Sequence, residues 1–172
     1  MEIIHIDNLL WMPIRTKPKK EKKLAEYCEA NNITCYLPLT KSVKRYGRKT
    51  VEFYPPMFQG YIFCQLDHDL YKLLVRSHGV FFKVNIDEVL EVQLIKDLNG
   101  IKSIEKVSTK KEIVIKPELV EGEQIIITDG PMQGTSGVIT RRANDIIITV
   151  NVDILGQSVS VKMDIGEVEL EK

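Results

Sequence analysis

The residues best suited to bond-making chemistry are few and scattered. The three histidines, His5, His68 and His78, show no ligand spacing, and the three cysteines, Cys28, Cys35 and Cys64, contain no C-x-x-C pair. An odd set of dispersed thiols matches neither a structural zinc site nor a disulfide framework. They read as ordinary core thiols in a reducing cytoplasm. No Ser-His-Asp ordering and no paired carboxylates supply a nucleophile with its base, so neither an enzyme nor a metal or other cofactor is expected. Two kinds of binding chemistry remain. Lys17, Lys20 and Lys23 recur every three residues, and Lys41, Lys44, Arg45, Arg48 and Lys49 crowd one short stretch without an acid. Such cations suit sequence-tolerant, salt-sensitive phosphate contact, and Tyr46 among them can stack on a base. The other kind is aromatic: Phe58, Tyr61 and Phe63 lie close together. Strand alternation puts Tyr61 and Phe63 on one face and Ile62 and Cys64 on the other, so one face belongs to the core.

These residues need elements to hold them, and the charge distribution shows where those elements divide. The 172 residues carry 24 Lys plus Arg and 24 Asp plus Glu, a net charge of zero. The sum hides a gradient. Residues 1–50 hold 11 basic and 5 acidic residues, residues 51–110 hold 7 and 8, and residues 111–172 hold 6 and 11. A hydrophobic fraction of 44% is that of a globular chain. No apolar run approaches the roughly 20 residues of a membrane span, and Met1 to His5 lack the pattern of a signal peptide. The length suits one to two small domains.

Leu9 to Ile14 reads as a short buried strand disturbed by Pro13. Thr16-Lys17-Pro18 then opens a helix, with Thr16 as its N-cap and the Lys17, Lys20 and Lys23 series along it. Asn31-Asn32 stops it. Ile33 to Val43 suits a strand, Lys41 to Lys49 a hairpin tip, and Val51 to Tyr54 the strand leading out of it. Tyr61 to Leu66 is apolar on both faces and therefore central. Asp67 caps a helix that Gly79 ends. Val80 to Val84 is a strand, and Leu90, Leu94, Leu98 and Ile101 mark one face of a further helix. The order β-α-β-β-β-α-β-α predicts an α+β domain, helices flanking an antiparallel sheet.

Lys102 to Lys116 has five lysines, two glutamates and no aromatic residue, the composition of a linker. Beyond it, 124–127, 137–142, 146–152, 157–162 and 168–170 read as five short strands. That many strands in so little chain predict a small closed barrel. The expected division is a first domain at 8–102, a linker at 103–118 and a barrel at 119–172.

Within the barrel, Gly122-Glu123-Gln124-Ile125-Ile126-Ile127-Thr128-Asp129-Gly130-Pro131-Met132-Gln133-Gly134-Thr135-Ser136-Gly137-Val138-Ile139 resembles the KOW motif. Gly130, Pro131 and Gly134 punctuate its turn, and Gly137 fits a bulge or a close backbone approach. Upstream, Pro56-Met57-Phe58-Gln59-Gly60-Tyr61-Ile62-Phe63 resembles the L-F-P-G-Y-[VL]-F segment of the NusG N-terminal (NGN) domain. Leu74-Val75-Arg76-Ser77-His78-Gly79-Val80 resembles the L-V-R-S…V that follows it. Trp11 stands where that family opens its first strand, and Ile33-Thr34-Cys35-Tyr36-Leu37-Pro38 is similar to its second. Both motif sets occur in the family's order, from about Trp11 onward.

The resemblance implies a transcription elongation or antitermination factor that bridges the RNA polymerase cleft. In that family the segment with Phe58, Tyr61 and Phe63 grips the clamp helices, with Leu98 lining the same depression. Lys72, Arg76 and His78 would lie toward the gate loop, although the threonine-rich stretch of RfaH is absent there. The basic face with Lys17, Lys20, Lys23, Lys44, Arg45, Tyr46 and Arg48 would look toward non-template DNA or nascent RNA. Leu155 stands at the turn position that contacts a ribosomal protein or Rho. Gln59 replaces the usual proline, and the short chain from Tyr36 to Pro56 resembles specialised paralogues of the RfaH, UpxY and LoaP type. Val152-Asp153-Ile154-Leu155-Gly156-Gln157, however, is similar to housekeeping NusG, which implies a stable barrel rather than a fold-switching tail. A cytoplasmic monomer with no membrane partner is expected. The rival reading is a KOW-containing ribosomal or RNA-binding structural protein, against which the acidic final third counts.

Overall fold

Strand alternation and helical stripes account for most of the elements in the computed structural model. It describes residues 2–108, 113–116, 123–129, 133–142, 145–164 and 169–171, with side chains at 2–106, 133–138 and 147–163. In chain order the elements are β1 (Leu10–Thr16), α1 (Glu21–Ala30), β2 (Cys35–Tyr36), β3 (Ser42–Tyr46), β4 (Lys49–Phe53), β5 (Tyr61–Leu66), α2 (His68–Val75), β6 (Val80–Lys83) and α3 (Glu88–Ser108). They continue with β7 (Ile113–Lys116), β8 (Glu123–Asp129), β9 (Ser136–Arg142), β10 (Asp145–Val152), a 3-10 turn (Asp153–Leu155), β11 (Gln157–Asp164) and β12 (Glu169–Glu171). The architecture is mixed α+β. Two units divide the chain, Ile4–Ile95 and Met1–Ile3 with Lys96–Lys172.

In the first unit an antiparallel sheet runs β2-β5-β1-β6. Met12 pairs with Cys64 and Ile14 with Ile62, which turns these four onto one face. There they join Leu24 and Cys28 of α1, Leu74 of α2, Ile33 and Leu66 in one core cluster. Burying such side chains contributes roughly 1.5–3 kcal/mol each. β5 is interior, as its two apolar faces predict. Asp67 caps α2, its Oδ1 accepting the Leu70 N–H at 2.7 Å.

Local signals were overridden at four places. Thr16 does not cap α1. Its N–H donates to the Gly60 carbonyl and that of Lys17 to the Gly79 carbonyl, each at 2.8 Å, so these residues stay extended and the helix starts at Glu21. Lys17 therefore precedes the helix, Lys20 sits at its N-cap and only Lys23 lies on it. Ile33 to Val43 is not one strand, because only Cys35 and Tyr36 pair with β5 before the chain leaves for the β3-β4 hairpin. The left-handed residue after α2 is His78, at φ +56°, rather than Gly79. Residues 103–108, expected in a linker, continue α3. Ile101 and Ile104 extend its buried stripe beyond Leu94 and Leu98, and that burial outweighs the lysine content. Ile113–Lys116 likewise forms a strand on β11.

In the second unit six antiparallel strands run β12-β8-β9-β10-β11-β7. Ile148 pairs with Val161 and Val150 with Val159, and all four are buried. On the opposite face the Thr149 and Ser160 hydroxyls meet at 2.7 Å. Gly156, at φ +59°, takes the left-handed position that closes the 3-10 turn between β10 and β11.

Candidate functional site

The first-unit site is built where β1 ends and β5 begins. Arg15 and Tyr61 are register partners across the strands, so their side chains leave the same face. The Arg15 guanidinium stands 4.6 Å from the Tyr61 ring centroid, a cation–π contact, and donates to the Gln59 carbonyl at 3.2 Å. Gly60 lies between them at φ +80°, and a Cβ there would fall 2.6 Å from Arg15 Nη1. Glu21 completes the support. Its buried carboxylate accepts the Gly60 N–H at 2.7 Å, tying the start of α1 to the loop before β5. A cleft of about 870 Å³ opens beside this cluster, lined by Arg15, Lys17, Lys19, Lys22, Pro56 and Phe81 among others. Its charge is cationic and its walls partly apolar.

The three aromatic candidates separate. Tyr61 is half-buried at the lip. Phe58 and Phe63 are fully buried, edge to face with ring centroids 5.8 Å apart. Leu98 is also fully buried. Tyr61 alone of these four presents surface in this structure.

Lys72 lies on the last turn of α2 and Arg76 at its C-cap, four residues apart and on one face. Both are exposed, as is His78. Lys72 Nζ lies 3.3 Å from Asp69 Oδ1.

The β3-β4 hairpin projects its cations on two faces. Lys44 pairs with Val51, Arg45 with Thr50 and Tyr46 with Lys49. Alternation therefore gathers Lys44, Tyr46 and Lys49 on one face and puts Arg45 on the other. Gly47, at φ +60°, takes the first central position of the two-residue turn, as in a type II′ hairpin, with Arg48 beside it. Tyr46 is 63% exposed, a free aromatic face between two lysines. Lys44 Nζ lies 5.2 Å from the Phe53 centroid. Lys41 is bonded to Glu52 at 2.7 Å, and that hydrogen bond raises its pKa.

In the second unit Gly130 and Pro131 fall outside the described residues. Gly134 has φ +80° with open space around it. At Gly137 a Cβ would stand 2.5 Å from the Thr149 carbonyl oxygen, so the close backbone approach expected there is present. Leu155 ends the 3-10 turn and is partly exposed.

Sequence reasoning missed Arg15, Glu21 and Glu91. Glu91 is buried, accepts the Trp11 N–H at 2.7 Å and meets His5 Nδ1 at 2.8 Å. The available signal was a carboxylate three residues before Leu94 on an apolar stripe. The cysteines lie where core thiols would. Cys28 and Cys64 are buried and Cys35 pairs with Cys64 across strands. The Cys28 contact and burial push the Cys35 thiol up. At Cys28 the Cys35 contact lowers the pKa, but the Cys64 contact and burial outweigh it and the thiol is raised. Among the described residues no His, Cys, Asp and Glu cluster could hold a metal ion, and no helix is long and apolar enough to cross a membrane.

A family model described as "Transcription termination factor nusG" matches residues 9–122. None of the curated proteins matches this chain. Among solved structures, the chain is similar to that described as "Domain interaction in Thermotoga maritima NusG", at 18% identity and TM-score 0.49, covering 94% of this chain and 96% of that one. It is similar also to the MjSpt4:Spt5 complex. Conformation B matches at 17% identity and TM-score 0.29 over 94% of this chain and 96% of that one. Conformation A matches at 16% and 0.28 over 95% and 99%.

Proposed function

This chain belongs to the NusG family of transcription elongation factors, and from that premise we propose that it binds RNA polymerase across its cleft and suppresses pausing or termination. The family is one of non-enzymatic factors. The observation that carries the reading is the family match over residues 9–122, with Tyr61 half-buried at the lip of β5. Tyr61 supplies the polymerase-facing aromatic surface toward the clamp helices. Arg15 orients the ring, while Phe58 and Phe63 pack edge to face in the interior and Leu98 is buried on α3. Lys72, Arg76 and His78 form a second exposed contact toward the gate loop. A ligand that bridges two parts of a moving enzyme favours the closed form only by its preference for that form.

Lys17, Lys20, Lys23 and the hairpin residues Lys44, Tyr46 and Arg48 face non-template DNA or nascent RNA, with Arg45 on the hairpin's other face. The hairpin face with Tyr46 between Lys44 and Lys49 suits a single strand, where stacking and phosphate contact combine. The final unit acts as a KOW barrel. Its turn residues Gly130, Pro131 and Gly134, with Gly137 and Leu155, serve a ribosomal protein or Rho, and tethering raises that partner's effective concentration near the transcript. The acidic balance of residues 111–172 favours a protein partner there over rRNA. The short segment between Tyr36 and Pro56 supports a factor specialised to particular operons. The protein works in the cytoplasm as a monomer.

The test is transcription in vitro with purified bacterial RNA polymerase, on a template carrying its own operon leader and on an unrelated one. Shortened pauses on the first alone fit the specialised reading, and shortened pauses on both fit a general elongation factor. Unchanged pauses and termination on both contradict the proposal.

A further inference from the structure

We propose that the second unit carries an oxyanion site for phosphate groups, formed by the polar stripe of α3 and the turn before β9. Lys96, Asn99, Ser103 and Lys106 stand at i, i+3, i+7 and i+10 of α3, which places them along one side of the helix, with Lys102 beside them. The facing wall is Gln133, Gly134 and Thr135, and together with Glu2 these residues line a cleft of about 450 Å³. The lining holds three lysines and one glutamate, and ammonium groups are the side-chain chemistry that a phosphate dianion recruits.

Two further observations make this more than a row of lysines. First, the approach of helix to turn is fixed. A Cβ at Gly100 would lie 3.1 Å from Val150 Cγ1 and 3.3 Å from Thr135 Cγ2, so the absence of a side chain there brings the turn against the helix. Second, Thr135 is 4% exposed, its methyl lies toward Gly100, and its hydroxyl finds no hydrogen-bond partner among the described residues. A buried hydroxyl without a partner costs roughly 1–3 kcal/mol, and a phosphate oxygen in the cleft would accept from it. The floor is held independently. Asn99 Nδ2 donates to the Ile3 carbonyl at 2.8 Å while Oδ1 accepts the Ile3 N–H at 2.9 Å, and Ser103 Oγ donates to the Asn99 carbonyl at 3.1 Å. Gly134, at φ +80°, has no described atom within 4 Å of where a Cβ would stand. The shared chemistry is a phosphate oxyanion, supplied either by a nucleotide's polyphosphate or by an RNA backbone. The inference stands on these residues alone and does not depend on polymerase binding.

The test is titration of the full chain with inorganic pyrophosphate and, separately, with a single-stranded RNA oligonucleotide, following backbone amide signals. Pyrophosphate is expected to move the signals of Gly100, Gly134 and Thr135. Lys96→Gln with Lys106→Gln should weaken its binding about tenfold or more, as loss of charge-assisted bonds would, and Thr135→Val should weaken it severalfold in a still-folded chain. RNA that moves the same signals and is displaced by pyrophosphate identifies the backbone as the source. RNA that leaves them unmoved while pyrophosphate moves them identifies a small polyphosphate. Unmoved signals with pyrophosphate, or equal binding by the double-lysine variant, would overturn the site.

Discussion

Arg15 holds its guanidinium over the Tyr61 ring at 4.6 Å, and both side chains arise from directly paired positions of β1 and β5. The pairing decides the face and the loop before β5 decides the angle. Gly60 therefore controls the contact. Gly60→Ala combines a left-handed φ with a Cβ driven against the guanidinium, and strain of this kind costs about 1–3 kcal/mol. The expected result is a melting temperature lower by roughly 4–8 °C per kcal/mol, together with loss of the ordered Arg15–Tyr61 contact in tyrosine ring NMR shifts. A variant as stable as the wild type, with unchanged ring shifts, would contradict this role for Gly60.

Glu21 anchors the same loop from the helix side. Glu21→Ala leaves the Gly60 N–H without its acceptor in a buried position, a loss of about 1–3 kcal/mol. Urea unfolding should show a lower midpoint with an unchanged slope. Glu21→Gln keeps an acceptor oxygen and should retain most of the stability. Equal destabilisation by both variants would mean that the charge, not the hydrogen bond, is what the site uses.

The two faces of the β3-β4 hairpin should behave differently toward single-stranded nucleic acid. Removing Lys44 and Lys49 together should reduce the salt slope by about 1.4, close to 0.7 for each lost phosphate contact. Tyr46→Ala should weaken binding by roughly 1–3 kcal/mol and leave the slope as it was. Arg45→Ala, on the opposite face, should change less than either. Fluorescence anisotropy at several salt concentrations distinguishes these patterns, and an Arg45 effect equal to that of Lys44 would remove the one-faced arrangement.

The Cys28 and Cys35 thiols have folded pKa values above the ordinary 9.0. The sign follows directly. Below about pH 9 both states hold the proton and the folded state keeps its full advantage. Above it the unfolded thiols ionise while the folded ones do not, so stability falls as pH rises. Unfolding midpoints from pH 8 to pH 10 should therefore drop more steeply in the wild type than in a Cys28→Ala, Cys35→Ala variant. Equal slopes would contradict the assignment.

Much of this could be read along the chain. The alternation of Tyr61 to Leu66, the Asp67 cap, the basic hairpin and the close approach at Gly137 are local patterns with local causes. What was hidden depends on partners far away in sequence. Thr16 looks like a helix cap until the Gly60 and Gly79 carbonyls claim the amides around it. Arg15 and Glu21 gain their roles only from residues 39 to 46 positions downstream. Phe58 and Phe63 read as surface aromatics by resemblance, yet each packs on the other in the core. The length of α3 was hidden by its lysine content, while the buried Ile101 and Ile104 carry the helix onward.

The central claim is that Tyr61 presents the polymerase-binding surface, oriented by Arg15. It is tested most directly by the affinity of the full chain for purified bacterial RNA polymerase, compared among wild type, Tyr61→Phe and Tyr61→Ala at matched folded concentration. A contact ring in a binding hot spot predicts a loss of about 2 kcal/mol or more, some thirtyfold, for Tyr61→Ala, while Tyr61→Phe keeps the ring and most of the affinity. Equal binding by all three proteins would contradict the account.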